Sequence, residues 1–235
     1  MKPVEKGAAP QRYTSYKQAK PALIARLGPH CSYCEAYGAP TSLDVEHIYP
    51  KVPHPNHEHR WENLLIACKS CNSKKHAHLG SGRQHGLLKR YLWPHLDNTA
   101  RALTYLPDGR VKPSTRLRLS AAQRDLVNNT IAMSGFLVSP AVASDYDALA
   151  VAYSGVSLRE NLWREVESNR ADYLTNPTEA RAKFFAQSAA TRGYFSIWME
   201  VFYDRPEVRR ELIVAFNADP NCFDGTTKPI RKGRV

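Results

Sequence analysis

Four cysteines stand in two pairs, Cys31-Ser-Tyr-Cys34 and Cys68-Lys-Ser-Cys71, with 33 residues between the pairs. A C-x-x-C turn holds two thiolates about a tetrahedral apex apart, so two such turns complete a four-sulfur zinc site. Disulfides are disfavoured in a chain without an export signal. A redox pair is disfavoured because no thioredoxin-like βαβ pattern surrounds either motif. Four thiolates leave no open coordination position, so the zinc expected here is structural and does no chemistry. Cys222 stands apart from them and reads as a buried, inert thiol.

Between the pairs runs DVEHIYPK, residues 44–51. Val45, Ile48 and Tyr49 suit a strand, yet Asp44, Glu46 and His47 are costly to bury. Zinc would pin the loop before this strand to the turn before NSKKH, bringing Glu46 and His47 towards Asn72. His76 lies four residues after Asn72, on the same face of a helix. A carboxylate and an amide oxygen are hard ligands that suit Mg²⁺. Such an ion would polarise a phosphodiester, and a neutral histidine, ordinarily titrating near ~6.5, would deprotonate the attacking water. One geometric condition follows. Successive strand residues face opposite ways, so the strand must end or bulge for Glu46 and His47 to meet one phosphate.

The net charge is +11. Residues 1–118 hold 19 Lys/Arg and 8 Asp/Glu, whereas residues 119–235 hold 14 of each. All the excess positive charge therefore lies in the first half, as expected of a surface that meets nucleic acid; a basic face kept for solubility is the plain alternative. All nine histidines also fall between residues 30 and 95. No apolar run approaches the ~20 residues that span a bilayer, and MKPVEKGAAPQRY lacks an apolar signal core. The expectation is a cytoplasmic protein with no membrane partner.

The elements must place these groups. TSYKQAKPALIARLG (14–28) reads as a helix capped by Thr14 or Ser15 and stopped by Gly28. SLDVEHIYP reads as a strand, and KVPHPNHEHR as a polar loop. WENLLIACKSCNSKKHAHLG should turn helical from about Asn72 to Gly80. RALTYLPDGRVKPS (101–114) reads as a β-hairpin turning at Pro107-Asp108-Gly109. Beyond Ser120, five segments carry helical periodicity: SAAQRDLVNNTIAMSGFLV, SDYDALAVAY, SLRENLWREVESNRADYL, PTEARAKFFAQSAATRG and YFSIWMEVFYDRPEVRRELIVAF. Ser157 and Glu160 form a capping box for the third, and Pro177 and Pro206 suit first turns. Leu126, Leu149, Trp163, Phe202 and similar residues belong to a helical core. The tail TTKPIRKGRV reads as basic and mobile. The fold class expected is α+β and mostly helical, with a zinc-stapled domain over 1–118 and a helical domain over 119–235.

C-x-x-C, then D-V-E-H-I-Y-P, then W-E-N-L-L-I-A-C-K-S-C-N-S-K-K resembles the HNH endonuclease motif, a ββα-metal finger with a zinc knuckle. The likeness covers about residues 28–80. Its wording is most similar to retron- and Septu-associated HNH proteins, bacterial anti-phage effectors that usually act with an ABC- or SMC-like ATPase. The resemblance implies that His47 is the general base and that Glu46, Asn72 and His76 hold the catalytic Mg²⁺ or Mn²⁺. Glu46 stands where the family usually has aspartate, and so reaches one methylene further. Asn63 is implied to hold the loop and orient His47, and Asp44 to act as an outer acceptor.

The function implied is metal-dependent hydrolysis of nucleic-acid phosphodiesters, with DNA the foremost substrate. A ribonuclease acting on structured RNA such as tRNA fits the same site. A non-catalytic zinc-knuckle binding module explains the cysteines and charge but leaves Glu46, His47 and Asn72 unexplained. Lys69, Lys74, Lys75, Arg83, Lys89 and Arg90 flank the site as candidate phosphate contacts, with a solvated charge the equal alternative for each. His54, His57 and His59 read as a loop and not as a second metal site. The charge-neutral helical half carries no catalytic constellation and is expected to dock a partner or position substrate.

Overall fold

Residues 1–80, 86–134 and 155–235 are described by a computed structural model. The chain is α+β and mostly helical, with two small antiparallel sheets. The helix expected at 14–28 forms as a 3₁₀ turn, Tyr16–Ala19, running into α1, Lys20–Leu27. Ser15 caps the turn, and Gly28 ends the helix with φ 74°. Strand β1, Leu43–His47, pairs with β2, Leu64–Cys68, with Leu43 opposite Cys68 and His47 opposite Leu64. Helix α2, Lys69–Leu79, follows β2 directly, completing a ββα unit.

Helix α2 begins three residues earlier than the sequence suggests. Cys68 is its N-cap, with Sγ accepting from the Cys71 amide at 3.5 Å. A cysteine is not a usual cap; here the knuckle geometry supplies one. Two short helices follow, α3 at Leu87–Arg90 and α4 at Thr99–Ala102. The hairpin expected at 101–114 forms as β3, Leu103–Tyr105, paired with β4, Val111–Pro113.

The second half supplies α5, Ala121–Met133; α6, Gly155–Thr175; α7, Glu179–Arg192; α8, Phe195–Val201; and α9, Pro206–Ala215. Ser120 and Gln123 form a capping box on α5. Ser157 is no cap, because α6 already begins at Gly155. Pro206 opens α9 as expected, but Pro177 lies before the Thr178 cap of α7. The segment 144–153, Leu149, Arg83 and His85 lie outside the described residues.

One buried cluster joins Leu23, Leu65 and Trp93 to Phe195, Trp198 and Phe216. The knuckle is docked on the helices through Glu35, which is 1% exposed. Its carboxylate accepts from the Ser196 amide at 2.9 Å and the Ser196 hydroxyl at 2.6 Å. His30 Nε2 bonds the Ala190 carbonyl at 2.7 Å. Gly193 permits this approach: its φ is 81°, and a Cβ there would lie 2.5 Å from the Tyr37 nitrogen. The tail is not mobile. Arg234 bonds Asp97 Oδ2 and the Leu88 and Tyr91 carbonyls, each at 2.6 Å, and Lys232 pairs with Asp219.

Candidate active site and zinc knuckle

The thiols of Cys31, Cys34, Cys68 and Cys71 all lie within 4.8 Å of one another, and Cys34 and Cys68 are 3.9 Å apart. Sulfurs bound to one zinc at ~2.3 Å would be about 3.8 Å apart, so the donor set fits a tetrahedral ion. Cys222 is buried beside Asp219, and burial pushes its thiol up to about 12, as an inert thiol requires.

Glu46 lies in mid-strand and is 2% exposed. The Tyr33 hydroxyl donates to its Oε1 at 2.8 Å, and the Lys75 ammonium sits 2.7 Å from the same oxygen. Burial raises the Glu46 carboxyl above its usual range, opposed by the Lys75 charge. Among the described residues no hydrogen bond falls on Oε2. Lys75 also donates to the His47 carbonyl. It is 5% exposed and committed to these partners, so it is not the phosphate contact the sequence suggested.

His47 is the last residue of β1, and the pairing register runs to it without a bulge. Glu46 and His47 nevertheless line one cleft. His47 Nε2 lies 3.0 Å from the Glu58 carbonyl. A carbonyl only accepts, so Nε2 carries the proton and Nδ1 keeps its lone pair. Burial, reinforced by Lys51 and Lys75, lowers the ring's pKa to about 4 and keeps it neutral. Tyr16 packs edge-on against this ring at 4.7 Å, and Lys51 lies over Tyr16 at 4.6 Å.

The Asn63 side chain makes its hydrogen bonds to backbone groups and not to His47. Its Oδ1 accepts from the Tyr49 amide at 2.7 Å, and its Nδ2 donates to the Tyr49 and His57 carbonyls at 3.1 and 3.0 Å. It therefore closes the loop between His47 and Glu58, and so fixes the carbonyl that orients the ring. The rings of His54 and His57 pack on Tyr49, each at 5.1 Å. Among the described residues the only metal-type cluster of His, Cys, Asp or Glu is the four-cysteine one.

The cleft, about 720 Å³, is lined by Asp44, Glu46, His47, Asn72 and His76. Asn72 makes no side-chain hydrogen bond to a described residue, and His76 is exposed. A carboxylate oxygen and a carboxamide lining one cleft are the donor types that suit a hard divalent cation. Asp44 lines the cleft without bonding the others. Lys17, Lys20 and Lys51 also line it, and make it basic. Tyr16, Lys17, Lys20, Tyr33 and the Glu58 carbonyl are site features the sequence reading missed. The C-x-Y-C spacing shows a tyrosine between ligands, but nothing in it says where the hydroxyl goes.

Residues 31–78 match the HNH endonuclease family. Over 61 residues the chain is 43% identical to the Septu protein PtuB of Bacillus thuringiensis, a stretch covering 25% of this chain and 24% of that protein. The chain thus spans about a quarter of the length of that curated relative. Motif order, ββα topology and four clustered thiols agree with this match, and the chain carries an HNH endonuclease domain over residues 31–78.

Proposed function

We propose that this chain is a divalent-metal-dependent endonuclease that hydrolyses phosphodiesters of DNA, as the nuclease effector of an anti-phage system. The observation that carries the reading is the orientation of His47: Nε2 is tied to the Glu58 carbonyl, and Nδ1 is left as a base. A neutral imidazole there accepts the proton of the attacking water. Glu46 Oε2 and the Asn72 carboxamide, with His76 beside them, would hold Mg²⁺ or Mn²⁺. Such an ion would polarise the scissile phosphate and neutralise charge on the leaving oxygen. Lys17, Lys20 and Lys51 attract and seat the backbone phosphates. Asn63 positions the base through the loop it closes.

The defence role, an ATPase partner and a docking role for helices α6–α9 rest on the likeness to Septu protein PtuB, together with the neutral charge of residues 119–235. A reducing cytoplasm suits the four thiol ligands. No helix among the described residues is long and apolar enough to cross a membrane.

The test is cleavage of plasmid DNA and of total RNA by purified protein, with its neighbouring gene product, in Mg²⁺ and in EDTA. DNA cleavage lost in EDTA and in His47→Ala is expected. RNA cleavage alone would move the substrate to RNA, and an active His47→Ala would refute the base.

A further inference from the structure

The carboxylate meant for a divalent cation already carries a cation. Lys75 Nζ is 2.7 Å from Glu46 Oε1, and the two side chains are 6% and 1% exposed. A buried pair of this kind is poorly screened, so the ammonium charge reaches any ion seated on Oε2 of the same carboxylate. Lys75 projects from α2 one turn after Asn72, the other oxygen donor of the cleft. Its second bond, to the His47 carbonyl, fixes the ammonium between the ligand residue and the base residue.

We infer that Lys75 is an internal counter-ion that competes with the divalent cation for Glu46 and sets a low affinity for it. This rests on the reading of Glu46 as a metal ligand. Without an ion, Lys75 neutralises Glu46 and spares it an uncompensated buried charge. An arriving divalent ion meets a neutral pair in place of a bare carboxylate, and either displaces the ammonium from Oε1 or binds against its repulsion. The site would consequently hold its ion reversibly.

The test uses the zinc-loaded full chain and Mn²⁺, with free Mn²⁺ read by electron paramagnetic resonance. Lys75→Gln removes the charge and keeps a hydrogen-bonding side chain; it should bind Mn²⁺ about tenfold more tightly than wild type. Lys75→Arg keeps the charge and should bind as wild type does. Unchanged or weaker binding in Lys75→Gln would overturn the inference. Glu46→Gln separates the two readings. Loss of Mn²⁺ binding there upholds Glu46 as ligand whatever Lys75→Gln does, and wild-type binding there refutes the ligand and the inference together. A measurement on the wild-type chain guards against a variant that fails to fold. During a Mg²⁺ titration the Lys75 side-chain resonances should shift while those of the buried Lys2 stay fixed. Static Lys75 resonances in the presence of bound Mg²⁺ would overturn the competition.

Discussion

The Tyr33 hydroxyl donates to Glu46 Oε1 across 2.8 Å. Tyr33 lies between Cys31 and Cys34, so the residue inside the knuckle turn directly holds the carboxylate of the cleft. The zinc site and the candidate catalytic site are one hydrogen bond apart.

Tyr33→Phe should expose the value of that bond. A hydrogen bond to a buried charge is worth about 1.5–3 kcal/mol, and the ring itself is conserved in the variant. Chemical denaturation should show a loss of that order with zinc content unchanged, and cleavage should fall with it. Wild-type cleavage and stability together would mean that Lys75 alone fixes Glu46.

Removal of zinc should unfold the finger, not merely silence it. The sheet of β1 and β2 has two strands and needs the knuckle to close. A strong chelator, or Cys68→Ser, should reduce the circular dichroism signal and abolish cleavage, and added Mg²⁺ should restore neither. A chelated protein that kept its native spectrum would contradict the structural assignment.

His47→Ala and Asn63→Ala should separate chemistry from positioning. Losing the general base costs roughly 10²–10⁴-fold in rate. Its effect on zinc content and unfolding temperature should be small. Asn63→Ala strands the Tyr49 and His57 backbone groups it now serves, so it should cost about 2–4 kcal/mol of stability as well as activity. Equal stability in the two variants would refute the division.

Acid stability should carry a signature of His95. Burial, with help from Lys6 and Lys232, lowers its pKa to about 3, so the folded ring stays neutral where the unfolded ring charges. Between pH ~6.5 and 3 the unfolded state therefore binds more protons, and stability falls as pH falls. Above that window the contribution is constant. His95→Gln should flatten this part of the stability profile relative to wild type, and identical profiles would exclude His95 as the cause.

What the sequence determined by itself was local. Two C-x-x-C turns, an alternating strand and a helix-stop glycine each act over a few residues, so Cys31, Cys34, Cys68, Cys71, β1 and the hairpin turn were legible from spacing. Glu46, His47 and Asn72 stood out as candidates from local pattern, whereas Asn63 and all four roles came from the family likeness. Tertiary structure decided what required a partner far along the chain. Lys75 read as a phosphate contact or a solvated charge, and the fold instead buries it against Glu46, where each charge compensates the other. The tail read as mobile, and Asp97 and two carbonyls from the first half hold it. The start of α2 moved back to Lys69 because Cys68, folded into the knuckle, caps it. Sequence alternation posed the question of how Glu46 and His47 share one site. Only the fold answered it, by lining one cleft with both and tying the His47 ring to the Glu58 carbonyl, a partner no local pattern names.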